Sequence, residues 1–103
     1  MESIKYYQKA INLNPDILSA YENILVQKLI IKNVTQQDVD LSNKLIELRE
    51  KYNSLTGKEY FVKANLLFEL DKVVNKKSIC DLIQLSVNLG YKPSLKFKIE
   101  FCN

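Results

Sequence analysis

Tyr6-Tyr7-Gln8-Lys9-Ala10-Ile11-Asn12-Leu13-Asn14-Pro15-Asp16-Ile17-Leu18-Ser19-Ala20-Tyr21-Glu22-Asn23-Ile24-Leu25 sets helical periodicity on both sides of a stop and restart. Tyr7, Ala10 and Ile11 share one helical face, after which Asn14 can cap a new helix and Pro15 suits its first turn. Asp16 adds negative charge where the helix dipole is positive, and Leu13 and Leu18 have the spacing of a hydrophobic staple around the cap. Two helices therefore meet at a short, well-determined corner.

Working outward, the first helix is predicted over 2–12 and the second from Pro15 to about Lys32. A third starts after Thr35, whose spacing to Asp38 matches a capping box, and runs to about Ser54 with Leu41, Leu45, Leu48, Tyr52 and Leu55 along one stripe. Thr56-Gly57-Lys58-Glu59 is a second capping box, flanked by Leu55 and Tyr60 as a staple. It opens a fourth helix with a broad apolar face of Phe61, Val62, Leu66, Leu70, Val73 and Val74. A fifth follows Ser78, which lies three residues before Asp81, and carries Leu82, Ile83, Leu85 and Leu89 to a stop at Gly90. Connections this short force neighbouring helices to pack antiparallel.

In the tail, Leu95, Phe97, Ile99 and Phe101 alternate with Lys96, Lys98 and Glu100, the period of a half-buried strand. A lone strand would have to pair with another chain, and the helical context favours a sixth helix beginning at Pro93. The expected fold is thus all-α, a short stack of antiparallel helix pairs of about five helices, with a short strand or a sixth helix at the C-terminus. Residues 1–103 are expected to form a single repeat-like domain, as a segment of a longer array or with its end helices covered by a partner.

The first third of the chain resembles a tetratricopeptide repeat. Ser3, Tyr7 and Pro15 match its small-x3-aromatic and Pro elements, with Ala10 as a second small residue. Tyr21 stands where that family usually has Trp and Ile24 where it has Leu, while Leu25 and Lys28 replace its Gly and Tyr. The resemblance implies a peptide-binding inner face on the second helix presenting Ser19, Glu22 and Val26, with Asp16 at its entrance. Gly90-Tyr91-Lys92-Pro93 is similar to the end of a pentatricopeptide or tetratricopeptide unit.

Composition narrows the function. A chain of 103 residues, 47% hydrophobic and 26% charged, is sized for one modest core. Apolar runs such as Leu29 to Ile31 are far too short to cross a bilayer, so no membrane role is expected. The net charge is +3, and the basic residues are 14 Lys to a single Arg. Arg is the preferred side chain for bidentate phosphate and base recognition, so this balance does not argue for nucleic acid. There is no His and only two Gly. No Ser-His or Cys-His pair and no phosphate-cradling loop can be assembled, so no enzyme, cofactor, metal or small-molecule substrate is expected. Glu47 with Glu50 and Asp38 with Asp40 read as solvated helix faces. Cys80 and Cys102 are expected as free thiols in a reducing compartment, and the opening residues lack a signal-peptide core, which points to the cytoplasm.

The expected function is a non-enzymatic protein-protein interaction or assembly scaffold, binding a protein partner or a second copy of itself. Tyr6 is a further candidate contact, whereas Tyr60 and Tyr91 are expected to pack within the fold. A second reading is RNA binding by a pentatricopeptide-like array, suggested by the Gly90–Pro93 corner with Lys92, Lys96 and Lys98. A third is a structural subunit whose tail adds to a neighbour.

Overall fold

Among the described residues of the computed structural model, five helices follow one another: α1 Leu18–Ile31, α2 Gln36–Lys51, α3 Lys58–Asp71, α4 Lys76–Asn88 and α5 Pro93–Phe101. The structure describes residues 18–102. The helix predicted over 2–12, the Asn14-Pro15 corner and the Ser3, Tyr7 and Ala10 matches lie outside them. No strand occurs among the described residues. Each helix packs on the next, and α1 also touches α3. Phe61 and Phe68 of α3 meet Phe97 and Phe101 of α5. Alternate helices α1, α3 and α5 thus form one layer, and α2 and α4 the other. The molecule measures 42 × 30 × 19 Å, and its short axis is about two helix diameters. The expected stack of antiparallel helix pairs is what the chain forms.

Backbone geometry ends three of the helices and a side chain ends a fourth. Lys32 and Asn53 have φ of 54° and 55°, and Gly90 has 88°. At each, the residue itself and the next one donate N–H bonds back into the preceding helix: Lys32 to Leu29 and Asn33 to Lys28, Asn53 to Glu50 and Ser54 to Arg49, Gly90 to Val87 and Tyr91 to Ser86. This is the Schellman arrangement, which satisfies the last carbonyls and turns the chain. It ends α2 at Lys51, ahead of the expected Ser54, and leaves Tyr52 51% exposed beyond the stripe. At the α3–α4 corner Asp71 acts instead, its Oδ1 accepting the N–H of Val73 at 3.1 Å and of Val74 at 3.0 Å. The helix stops there, so Val73 and Val74 leave the predicted face and are each 78% exposed.

The starts are equally local. Thr35 N–H donates to Asp38 Oδ2 at 2.8 Å, as its spacing predicts. The Glu59 carboxylate collects three donors, Thr56 N–H at 2.9 Å, Gly57 N–H at 3.1 Å and the Thr56 hydroxyl at 3.0 Å. Helix α4 begins at Lys76 and not after Ser78: Asn75 occupies the cap position and its side-chain amide donates to Leu67 O at 3.2 Å, tying the new helix to the old one. Asp81 accordingly serves no cap and lies 3.6 Å from Lys77.

Helix α3 is central because apolar residues occupy two of its sides. Val62 and Leu66 join Tyr21, Leu25, Val39, Leu45 and Leu48 in one core cluster. Ala64, with Phe61 and Phe68, packs on Ile79 and Ile83 in the other, and Leu67 borders both. Each fully buried aliphatic side chain contributes about 1.5–3 kcal/mol, so α3 ties the halves together through its own sequence. Leu85 and Leu89, expected inside, are 45% and 47% exposed because α4 buries the Ile79, Ile83 and Ser86 side.

The tail is a helix. In that geometry the alternating pattern divides by fours: Phe97 and Phe101 turn inward to the aromatic cluster, while Leu95 and Ile99 are 48% and 66% exposed. Cys80 and Cys102 are disulfide-bonded, with Cα atoms 5.6 Å apart. This overturns the expectation of free thiols. The α4–α5 hairpin folds about Gly90 and brings the start of one helix beside the end of the other, within the span a disulfide requires. Such bonds persist in oxidising compartments, so the thiols lend no support to a reducing one. No helix among the described residues is long and apolar enough to cross a membrane.

Candidate functional site

Of the residues expected to bind a partner, Tyr6 and Asp16 lie outside the described residues, and of Ser19 only its place on α1 is described. Val26 is half-buried on α1. Glu22 belongs to an ionic lattice across three helices. Its carboxylate lies 2.9 Å from Lys58 Nζ and 3.6 Å from Arg49 Nη2, and Arg49 Nε lies 3.6 Å from Glu59 Oε2. The one arginine of the chain therefore spans two carboxylates, a role its planar fork suits better than a lysine would. Arg49 Nε is buried and makes no hydrogen bond, so the pairing with Glu59 is electrostatic. The lattice links α1, α2 and α3. Its signal in the sequence was the solitary arginine, which no periodicity argument had used.

Among the described residues, Lys58 and Tyr60 titrate outside their ordinary range. The hydrogen bond to Glu22 is the largest of the influences holding the Lys58 ammonium above 10.5, outweighing its desolvation. Desolvation, then the Glu50 carboxylate, pushes the Tyr60 phenol above 10.0. In both cases the folded chain keeps its proton longer than the unfolded one. The associated stability is present in full below the ordinary values and is lost as pH rises through the folded ones. The urea midpoint should fall between about pH 9 and pH 12. In a Lys58→Arg, Tyr60→Phe variant, which keeps the cation but removes both titrations, the fall should be shallower. An unchanged profile would refute this origin.

Several concavities open on the surface of the described residues, three of them as follows. A cleft of about 480 Å³ between α1 and α2 is lined by Tyr21, Ile24, Lys28, Asp38, Leu41 and Lys44 among others. Lys28 bridges its floor, 3.7 Å from Asp38 Oδ2 and donating to Asn33 O at 3.3 Å. A second, about 290 Å³, includes Arg49, Leu55 and the exposed Leu89. The third, about 190 Å³, is walled by Phe68, Phe97 and Phe101 with Glu100. Tyr91 packs on Phe61 at a centroid distance of 5.3 Å, as expected of a structural tyrosine.

At the α3–α4 corner Leu70 is 36% exposed and Val73 and Val74 are each 78% exposed. Lys72 Nζ lies 5.5 Å from the Phe68 ring centroid and Lys76 Nζ 5.4 Å from that of Phe101. Sequence reasoning had not singled out Phe68, Lys72 or Lys76. The available signal was the four-residue spacing of Phe97 and Phe101, once read as a helix. No group of three or more Cys, Asp or Glu side chains among the described residues could hold a metal ion. Comparison with protein families, curated proteins and solved structures finds no match to this chain.

Proposed function

We propose that this chain is a non-enzymatic protein-interaction module, a helical scaffold that holds apolar contact surfaces in fixed geometry. The observation supporting this reading is the α3–α4 corner, where Leu70, Val73 and Val74 follow closely in the chain and all stand exposed. Grouped exposed apolar side chains with a polar surround are a common mark of protein contact surfaces. The corner is preorganised as well, since Asp71 and Asn75 satisfy its backbone and side-chain donors internally. Docking there would cost little ordering entropy.

Tagged protein is expected to retain a specific protein from native lysate equally in RNase-treated and untreated halves, with little loss as salt is raised. Retention that vanishes with RNase, or that falls steeply with salt, would replace this reading by RNA binding.

A further inference from the structure

Cys80 and Cys102 are the two cysteines of the chain, and both are half-buried, so a dissolved thiol has one target here and can reach it. Their bond joins α4 to the residue just past the end of α5. The helix it fastens is shallowly seated. Ser94 is the sole buried residue of α5, and the fully buried side chains of the second core, Ala64, Ile79 and Ile83, all come from α3 and α4. To that core α5 adds only the half-buried Phe97 and Phe101, and among the described residues it adds nothing to the first core. The seam is incompletely filled as well, since a concavity of about 190 Å³ opens between Phe68 of α3 and Phe97 and Phe101 of α5. At the opposite end of α5 the buried Ser86–Ser94 hydroxyl contact holds it to α4.

We infer that the Cys80–Cys102 bond is a redox latch: closed, it holds α5 over Phe61 and Phe68 of α3, and thiol–disulfide exchange frees α5 and bares that aromatic face while α1, α2 and α3 stay folded. The exchange takes a dithiol reductant. One of its thiolates attacks a sulfur of the pair, the S–S bond breaks, and the displaced cysteine leaves as a thiolate that takes up a proton. The reductant's second thiol then displaces the other cysteine, so the protein gains two electrons and two protons and the reductant becomes a disulfide. With α4 folded, the length freed runs from Leu89 to Cys102, about 14 residues, tied at both ends while the bond is intact. Cutting one tie of a loop that long raises its open population about a hundredfold in the chain-entropy account. Burial of two rings and one hydroxyl contact must then offset the ordering of nine residues, too few to persist as a helix alone. The rest of the stack keeps its buried aliphatic side chains.

The test follows amide exchange of the full chain, oxidised and in dithiothreitol, over a series of low urea concentrations. Reduction should speed exchange in α5 about a hundredfold. The α5 rates should then depend little on urea, whereas α2 keeps the steep urea dependence of whole-chain unfolding. Reoxidation should restore the original rates. A fluorescein-labelled peptide of residues 92–102 carrying Cys102→Ser should bind the reduced protein at least about tenfold more tightly than the oxidised one, because apparent affinity follows the fraction of seats vacated. The Cys80→Ser, Cys102→Ser variant should match the reduced wild type with or without dithiothreitol. Equal urea dependence in α2 and α5 would overturn the inference, by showing that the bond steadies the chain as a whole. So would α5 rates unchanged by reduction of the wild type, or equal peptide binding in its two states.

Discussion

Replacing Gly57 by alanine is expected to remove about 3 kcal/mol of stability, moving the urea midpoint down by about 2 M at a typical slope for a chain of this size. Two costs combine. Gly57 has φ of 95° and ψ of −26°, a conformation that costs an L-residue about 1–2 kcal/mol. A Cβ there would also stand 2.9 Å from the Ser86 carbonyl oxygen, 2.9 Å from Tyr91 Cβ and 3.2 Å from Leu89 Cβ. None of these is the free end of a flexible side chain, so overpacking adds about 1–3 kcal/mol. The contact is close because Ser86 Oγ donates to Gly57 O at 2.7 Å, drawing the start of α3 onto the end of α4. Having only one proton, Ser86 must then accept from Ser94 across their 2.6 Å contact, which brings α5 to the same point. Gly90→Ala is the control. Its φ is also positive, at 88°, but a Cβ would meet nothing within 4 Å, so only about 1–2 kcal/mol should be lost. Equal losses at the two glycines would show that the close approach at Gly57 carries no energy.

Exchanging both cysteines for serine is expected to cost about 3 kcal/mol, the chain-entropy value for a bond between residues 22 apart. The loss should be uneven along the chain. Helix α5 has nine residues, too few to persist alone in water, and is held by the disulfide, the Ser86–Ser94 contact and its two inward phenylalanines. Reductant should lower the urea midpoint of the wild type by the same amount and leave the Cys80→Ser, Cys102→Ser variant unaffected. A wild type indifferent to reductant would mean that the bond does not form in solution.

The sequence carried what is local. Thr35 with Asp38 and Thr56 with Glu59 read as helix starts because a cap needs only residues three apart, and Gly90 read as a stop because few other residues tolerate its φ. Phe97 and Phe101 were legible only once helix was preferred to strand, since spacing by twos contains spacing by fours. Val73 and Val74 were misplaced because apolar periodicity continues through a corner that the Asp71 side chain imposes. The disulfide was missed because Cys80 and Cys102 become neighbours only when two helices fold back on one another. Glu22 was read as part of a partner-binding face, whereas its pairing with Arg49 and Lys58 depends on where α2 ends and α3 begins.

The layered arrangement has a kinetic corollary. Every helix finds its main contacts in its immediate neighbours or the next but one, so little loop-closure entropy must be spent before contacts form, and folding should complete within microseconds to milliseconds. Among the described residues, the core around Leu25 and Leu45 and the core around Ile79 and Ile83 share Leu67 of α3. A chain built this way has a natural crease: the α4–α5 half can open while the α1–α3 half stays folded, so protection from amide exchange should fall in a step, not smoothly, past α3.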